Sequence, residues 1–169
     1  MYPTETSFDL VSGTVVVQID LGVHRERVWE TLTTQELATW LGQPDGLPQW
    51  MGARFRLAHD PDTVSNHRVT LWRPRRLLGW TWQFHNEDDS LVTFRLVPVG
   101  VARSVLIVEH RGLGEVVEYA AGWQLHLDRL AAHLLGERRS TDTFWAEHAA
   151  LVEQLRATVP CRAAPRRVT

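Results

Sequence analysis

The chain has 169 residues, 44% of them hydrophobic and 22% charged, which suits one globular domain with its own core. Its net charge of −2 is too small to suggest nucleic acid or an anionic membrane surface as a partner. All 18 basic residues are arginines, so chemistry that needs a lysine, such as Schiff-base formation, is excluded.

The cysteine content and the N-terminal sequence predict where in the cell the protein is located. The one cysteine, Cys161, cannot form an intramolecular disulfide and favours a reducing, cytoplasmic location. Residues 1–9 lack the features of a secretory signal, and no apolar run approaches the length of a membrane span, so we expect no membrane insertion. No cofactor is expected, because the chain has neither a phosphate-binding glycine loop nor a nucleophile elbow.

The first predicted elements are a strand, two short helices and a loop. Residues 14–19 are an apolar, strand-like run. Val28, Trp29 and Leu32 share one face of a short helix, and a second short helix ends near Leu41. Two prolines and three glycines in residues 42–52 then predict a loop.

Five further strands are predicted from alternating apolar and polar residues. They cover residues 53–58, 67–72, 78–84, 91–97 and 104–110. Short turn signals separate them, which favours an antiparallel meander. Together with the first strand, the predicted sheet has about six strands.

The C-terminal third is predicted to be helical. Apolar residues recur at steps of four and three over 116–134, which predicts one long helix whose stripe packs on the sheet. A second helical pattern lies within 140–158. We therefore divide the chain into four segments: an N-terminal arm (1–13), a main domain (14–136), an additional helix (137–158) and a disordered basic tail (159–169).

Several motifs carry a resemblance to a known family. They include Val28-Trp29, Trp40, Thr81-Trp82 and Gly122-Trp123, in that order along residues 14–135. On these, the chain resembles the activator of heat-shock-protein-90 ATPase homologue-like family of the SRPBCC superfamily. The resemblance implies the α+β helix-grip (START-like) fold, in which a curved antiparallel sheet wraps a long C-terminal helix.

This fold implies a space between sheet and helix that is either filled or left as a ligand cavity. For each candidate below, packing in the core is the alternative to contact with a ligand. Strand parity and the resemblance predict the following cavity residues: Trp40, Trp50, Phe55, Leu57, Val69, Leu71, Trp80, Trp82, Phe84, Phe94, Val108, His110, Tyr119 and Trp123.

The histidines offer the few polar candidates. His110 is a weak candidate for an acid or base, and the alternative is a structural histidine at a strand end. His59 and His67 could approach a metal across a turn, although no close ligand spacing supports a metal site. His126 and His133 lie off the apolar stripe of the long helix, which predicts a surface position.

Three functions stay open at this point. The first is binding of a small apolar or aromatic ligand between sheet and helix. The second is a polyketide cyclase-like or aromatase-like enzyme that uses His110, and the third is a co-chaperone-like interaction protein. The additional helix, with Phe144, Trp145 and Leu151, would pack on the domain or form a homodimer.

Overall fold

A computed structural model describes residues 1–140 and 142–159 of the chain. The described part contains eight strands and four helices. In chain order these are β1 (Thr4–Asp9), β2 (Thr14–Leu21), α1 (Arg25–Thr33), α2 (Leu37–Trp40), β3 (Gln43–Asp45), β4 (Arg54–Ala58), β5 (Val64–Arg73), β6 (Leu77–Trp82), β7 (Ser90–Val99), β8 (Arg103–Arg111), α3 (Val116–Leu134) and α4 (Phe144–Thr158).

All strands form one open antiparallel sheet in the order β1-β2-β8-β7-β6-β5-β4-β3. The antiparallel α+β fold is confirmed, but the predicted count of about six strands is wrong by two. The additional strands are the two edges, β1 and β3. β1 lies in the predicted arm and is rich in Thr and Ser, so it shows no strong apolar alternation. β3 has only three residues, and it contains Pro44, which an edge strand tolerates.

The helices cover the inner face of the sheet. α3 lies against β1 and β2, and buries Trp123, Leu127 and Leu130. α1 and α2 follow β2 directly, and the Nε1 atom of Trp40 donates to the carbonyl of Thr31, 3.1 Å away, which ties the two short helices together. No helix in the described residues is long and apolar enough to cross a bilayer.

The additional helix packs on its own domain. α4 lies along α3 and buries Phe144 and Val152, while Trp145 stays 51% exposed. The predicted tail lies outside the described residues, except for Val159.

A β-bulge in β5 changes which side chains face inward. The register between β5 and β6 shifts between Val69 and Leu71. Leu71 therefore lies opposite Gly79 on the outer face, and Trp72 lies opposite the buried Leu78. The expected inward position of Leu71 is wrong, and Trp72 takes the inner face, where its ring contacts that of Trp29 at 5.1 Å.

Gly13 in the β1–β2 turn is expected to tolerate no side chain. Its φ is +64°, and an added Cβ would lie 2.6 Å from the carbonyl oxygen of Leu113. Gly13→Ala should therefore lower the free energy of unfolding by about 2–4 kcal/mol, through left-handed strain of roughly 1–2 kcal/mol plus the clash with backbone. Urea denaturation measures this.

Gly100 in the β7–β8 turn is the matched control for Gly13. Its φ is +62°, but nothing lies within 4 Å of an added Cβ. Gly100→Ala should cost only the strain, about 1–2 kcal/mol. Equal losses for the two variants would show that the approach of Leu113 to Gly13 does not matter.

Candidate functional site

Aromatic side chains fill most of the space between sheet and helix. The ring of Trp80 lies 4.6 Å from that of Phe94, and Phe94 lies 5.6 Å from Trp123 of α3. Phe55 contacts Trp80 from β4 at 5.1 Å. These rings form a packed core under the middle of α3, and an open space lies toward the N-terminal end of the helix.

That space is a cavity of about 480 Å³, which we call the inner cavity. Its walls come from the β4–β5 turn, the β6–β7 hairpin, the first half of α3 and the start of α4. Its lining residues are His59, Asp62, Thr63, Val64, Trp82, Phe84, His85, Asn86, Glu87, Glu118, Tyr119, Gly122, Trp123, His126, Phe144, Trp145 and His148. The aromatic members dominate, and the volume is in the usual range for small-molecule sites.

Four of the predicted cavity residues line the inner cavity: Trp82, Phe84, Tyr119 and Trp123. Most of the others are buried outside its lining, in the core; these are Trp40, Phe55, Leu57, Val69, Trp80, Phe94, Val108 and His110. Trp50 does not close an end of the interior, because it lies in a surface loop and is 60% exposed.

Three hydrogen bonds in series fix the tautomer of His110, that is, which of its two ring nitrogens carries the hydrogen. Trp123 Nε1 donates to His110 Nδ1 at 3.1 Å, since an indole nitrogen can only donate. The hydrogen of the neutral ring is therefore on Nε2, which lies 2.8 Å from Ser90 Oγ. Ser90 Oγ donates in turn to the carbonyl of Trp82 at 3.2 Å. Neither ring nitrogen is free to take or give a proton to a ligand.

His59 and His67 meet at a hydroxyl group. Their Nε2 atoms lie 2.8 and 2.7 Å from Ser65 Oγ, and their Nδ1 atoms donate to the carbonyls of Leu41 and Thr81. The single hydroxyl hydrogen cannot serve both Nε2 atoms, so the group has room for one more proton. Among residues 1–140 and 142–159, no three possible ligand side chains converge on a metal position.

His126 and His133 are half-buried, whereas the sequence predicted a surface position for both. Nδ1 of His126 donates to the carbonyl of Trp40 at 2.8 Å, and its ring lies 4.8 Å from that of Phe144. His133 Nε2 contacts Glu36 Oε2 at 2.6 Å. The sequence holds part of the evidence for the burial of His126, because this residue follows Trp123 by three positions and so lies on the same side of the helix. The sequence of α3 alone does not show that α4 covers His126.

One hydrogen bond links two walls of the inner cavity. Tyr119 of α3 donates to Glu87 Oε2 in the β6–β7 hairpin at 2.5 Å. Burial, and then this bond to Glu87, raise the pKa of Tyr119. The Trp82 indole N–H lies near the Tyr119 hydroxyl but has no hydrogen-bond partner in the described part of the chain.

The fold and the sequence motifs agree with one family. The model of the family described as activator of Hsp90 ATPase homolog 1-like protein matches residues 23–135. The chain belongs to this family. A comparison with curated proteins finds no match.

Solved structures share the fold of this AHSA1-family protein. The crystal structure of CalU16 from Micromonospora echinospora superposes with a TM-score of 0.76 at 22% identity, over 94% of this chain and 99% of CalU16. EF2215 from Enterococcus faecalis, a conserved protein of unknown function, gives a TM-score of 0.69 at 19% identity, over 90% and 91% of the two chains. These two likenesses concern the fold.

DynU16, described as a putative protein in the dynemicin biosynthetic locus, is 26% identical and superposes with a TM-score of 0.67. The match covers 75% of this AHSA1-family chain and 49% of DynU16, so this chain spans about half the length of DynU16.

Proposed function

We propose that this AHSA1-family protein binds one small apolar or aromatic molecule in the inner cavity. The observation that carries the proposal is the cavity itself, about 480 Å³ in volume and walled by Trp82, Phe84, Tyr119, Trp123 and Phe144. Such walls favour flat, apolar ligands through burial of apolar surface and through ring contacts. Membership of the SRPBCC fold supports a ligand-binding role.

The likeness to DynU16 gives this proposal a chemical context. That protein is described by its place in a biosynthetic locus, which agrees with a role that involves a small molecule. The dynemicin locus is a property of DynU16, and no particular compound follows from it for this chain.

The two alternatives have weaker support. A cyclase-like enzyme that uses His110 lacks a free ring nitrogen there, since Trp123 and Ser90 occupy both. Burial, and then the charge of neighbouring His67, lower the pKa of His110 to about 3, far from the value of a good base near neutral pH. A co-chaperone-like role rests on the family resemblance alone.

The proposal is tested by filling the inner cavity from Gly122. This residue lines the cavity on α3, and an added Cβ would meet only His148 Nε2, at 3.9 Å. We expect the wild-type protein to bind 2-methoxynaphthalene saturably, one molecule per chain, in isothermal titration calorimetry. Gly122→Leu should weaken that binding by at least ~10-fold, equivalent to about 1.4 kcal/mol, because its side chain takes the ligand's space.

Gly122→Ala is the matched control, since it adds a single methyl group where there is room. It should bind the probe nearly as well as the wild type and should be more stable by up to about 1 kcal/mol, because alanine favours a helix interior. The proposal is wrong if the wild type binds neither 2-methoxynaphthalene nor its hydroxyl analogue 2-naphthol, or if Gly122→Leu binds the probe unchanged.

A further inference from the structure

Resting on the proposed function, we infer that the ligand is an uncharged aromatic compound with a hydroxyl or amino group, whose hydrogen is donated to Nε2 of His126. Two independent features carry this inference. One is the fixed orientation of the His126 ring, and the other is the balance of charges and donors in the cavity wall.

The carbonyl of Trp40 fixes the hydrogen of His126. A carbonyl oxygen can only accept, so Nδ1 of His126, 2.8 Å away, must carry the hydrogen. In the neutral ring, Nε2 then presents a lone pair. No group among the described residues donates to this atom, and His126 is part of the cavity wall. Burial, and then the charge of nearby His59, lower the pKa of His126 to about 3, which keeps the ring neutral.

The donors of the wall are already used, lie at its rim or are closed off from the open space. Tyr119 donates to Glu87, Trp123 donates to His110, and Trp145 is 51% exposed at the rim. The Trp82 indole nitrogen has almost no accessible surface. The remaining donors, on Thr63, His85 and Asn86, belong to turns at the rim. A polar ligand group deep in the aromatic part therefore meets an acceptor, and a group that only accepts hydrogen bonds finds no partner there.

The charges of the wall disfavour anions. Its carboxylates are Asp62, Glu87 and Glu118, and its lining includes no arginine. Arg156 of α4 contacts Glu118 at 2.7 Å and so compensates one of the three. A carboxylate ligand would be desolvated beside the other two like charges, which costs free energy. A neutral aromatic ligand carries no such cost, and the cavity offers it the rings of Trp123 and Phe144, which lie 6.0 and 4.8 Å from the ring of His126.

Three naphthalene probes separate these requirements: 2-naphthol donates a hydrogen bond, 2-methoxynaphthalene only accepts, and 2-naphthoate is an anion. Calorimetric titration of the wild type at pH 7.5 should show 2-naphthol binding at least ~10-fold more tightly than 2-methoxynaphthalene, the ratio expected for one hydrogen bond to a buried acceptor. 2-Naphthoate should bind weakest of the three.

His126→Asn removes the Nε2 acceptor but keeps the hydrogen bond to the Trp40 carbonyl. The asparagine amide nitrogen can donate to that carbonyl from the position that Nδ1 has in the wild type. In this variant the ratio of the naphthol and methoxynaphthalene affinities should fall to within about 2-fold, while the affinity for 2-methoxynaphthalene stays unchanged. His133→Asn, on the same helix but outside the lining, is the matched control and should keep the wild-type ratio. If His126→Asn does not fold, His126→Phe replaces it, because phenylalanine keeps a ring in the wall and offers no hydrogen-bond acceptor.

The outcomes distinguish the two proposals. If none of the probes binds the wild type, the proposed function fails, and this inference fails with it. If 2-methoxynaphthalene binds but 2-naphthol gains nothing, or if the gain persists in both His126 variants, the cavity binds ligands without the contact inferred here. Tightest binding of 2-naphthoate would also overturn the inference.

Discussion

Acidification is expected to unfold the protein steeply between about pH 5.5 and 4. Four histidines, His59, His67, His110 and His126, have a pKa lowered by burial from 6.5 to about 4, 3, 3 and 3. Because each folded pKa lies below the unfolded one, their full contribution to stability is present above pH 6.5 and is lost as the pH falls. In this window each contributes about 1.4 kcal/mol per pH unit, hence about 5.6 kcal/mol per pH unit together.

A slope of that size uses up the stability of a typical domain, roughly 5–15 kcal/mol, within about 1 to 3 pH units. Glu36, the carboxylate whose pKa is strongly lowered, affects stability only at a lower pH than the histidines do. Hydrogen bonds from Arg27, and then from His133, lower the pKa of Glu36 to about 2, so its contribution is lost only below about pH 4.5. Loss of stability from pH 6.5 to 4.5 therefore reports on the histidines.

The measurement is the free energy of unfolding in urea at pH values from 7.5 to 5. His110→Asn and His126→Asn should each reduce the slope by about one proton, or about 1.4 kcal/mol per pH unit. His24→Asn and His85→Asn serve as controls, because both side chains are exposed in the folded protein. A free energy that stays flat from pH 7 to 5 would contradict the prediction. Any proton that enters the folded protein first should go to the His59–Ser65–His67 group, which has room for one.

The second large effect is expected from His110→Ala, which should lower the free energy of unfolding by about 3–5 kcal/mol. The substitution empties a fully buried position and leaves the Trp123 N–H without its acceptor. A buried cavity and an unsatisfied donor each cost roughly 1–3 kcal/mol. Urea denaturation at pH 7.5, where the ring is neutral, measures the loss.

Two further substitutions separate the contributions. His110→Leu restores volume but no acceptor, so about 1–3 kcal/mol of the loss should remain. His110→Asn supplies an oxygen near the place of Nδ1 and should be the least damaging of the three. If His110→Leu is more stable than His110→Asn, the hydrogen bond from Trp123 is not what holds this position. Loss of a catalytic activity in His110→Ala would say little about catalysis, because the fold itself is weakened.

The sequence predicted the elements well where apolar residues keep a regular period. The α3 stripe and the strands β2, β4 and β6–β8 follow such periods, and the family motifs placed them in one fold. The prediction failed where the period is interrupted or absent. Leu71 turned outward because a bulge adds a residue to β5, and nothing in the alternation of that strand marks the position. β1 lacks an apolar side of its own.

The site was harder to predict than the fold. Trp82 and Trp123 line the inner cavity, whereas Trp80 and Phe94 are packed in the core, and the sequence pattern could not tell the two pairs apart. That distinction depends on how the rings fill the middle of the domain. His126 was placed at the surface because its own helix shows no partner for it, and the covering residue, Phe144, comes from a helix eighteen positions later in the chain.

The inner cavity is a composite of two parts of the chain. The family model ends at residue 135, so the walls from the sheet and α3 belong to the matched domain, whereas α4 follows it. One wall of the cavity belongs to α4 and consists of Phe144, Trp145 and His148. Substitutions in α4 could thus reshape ligand preference while the scaffold stays intact.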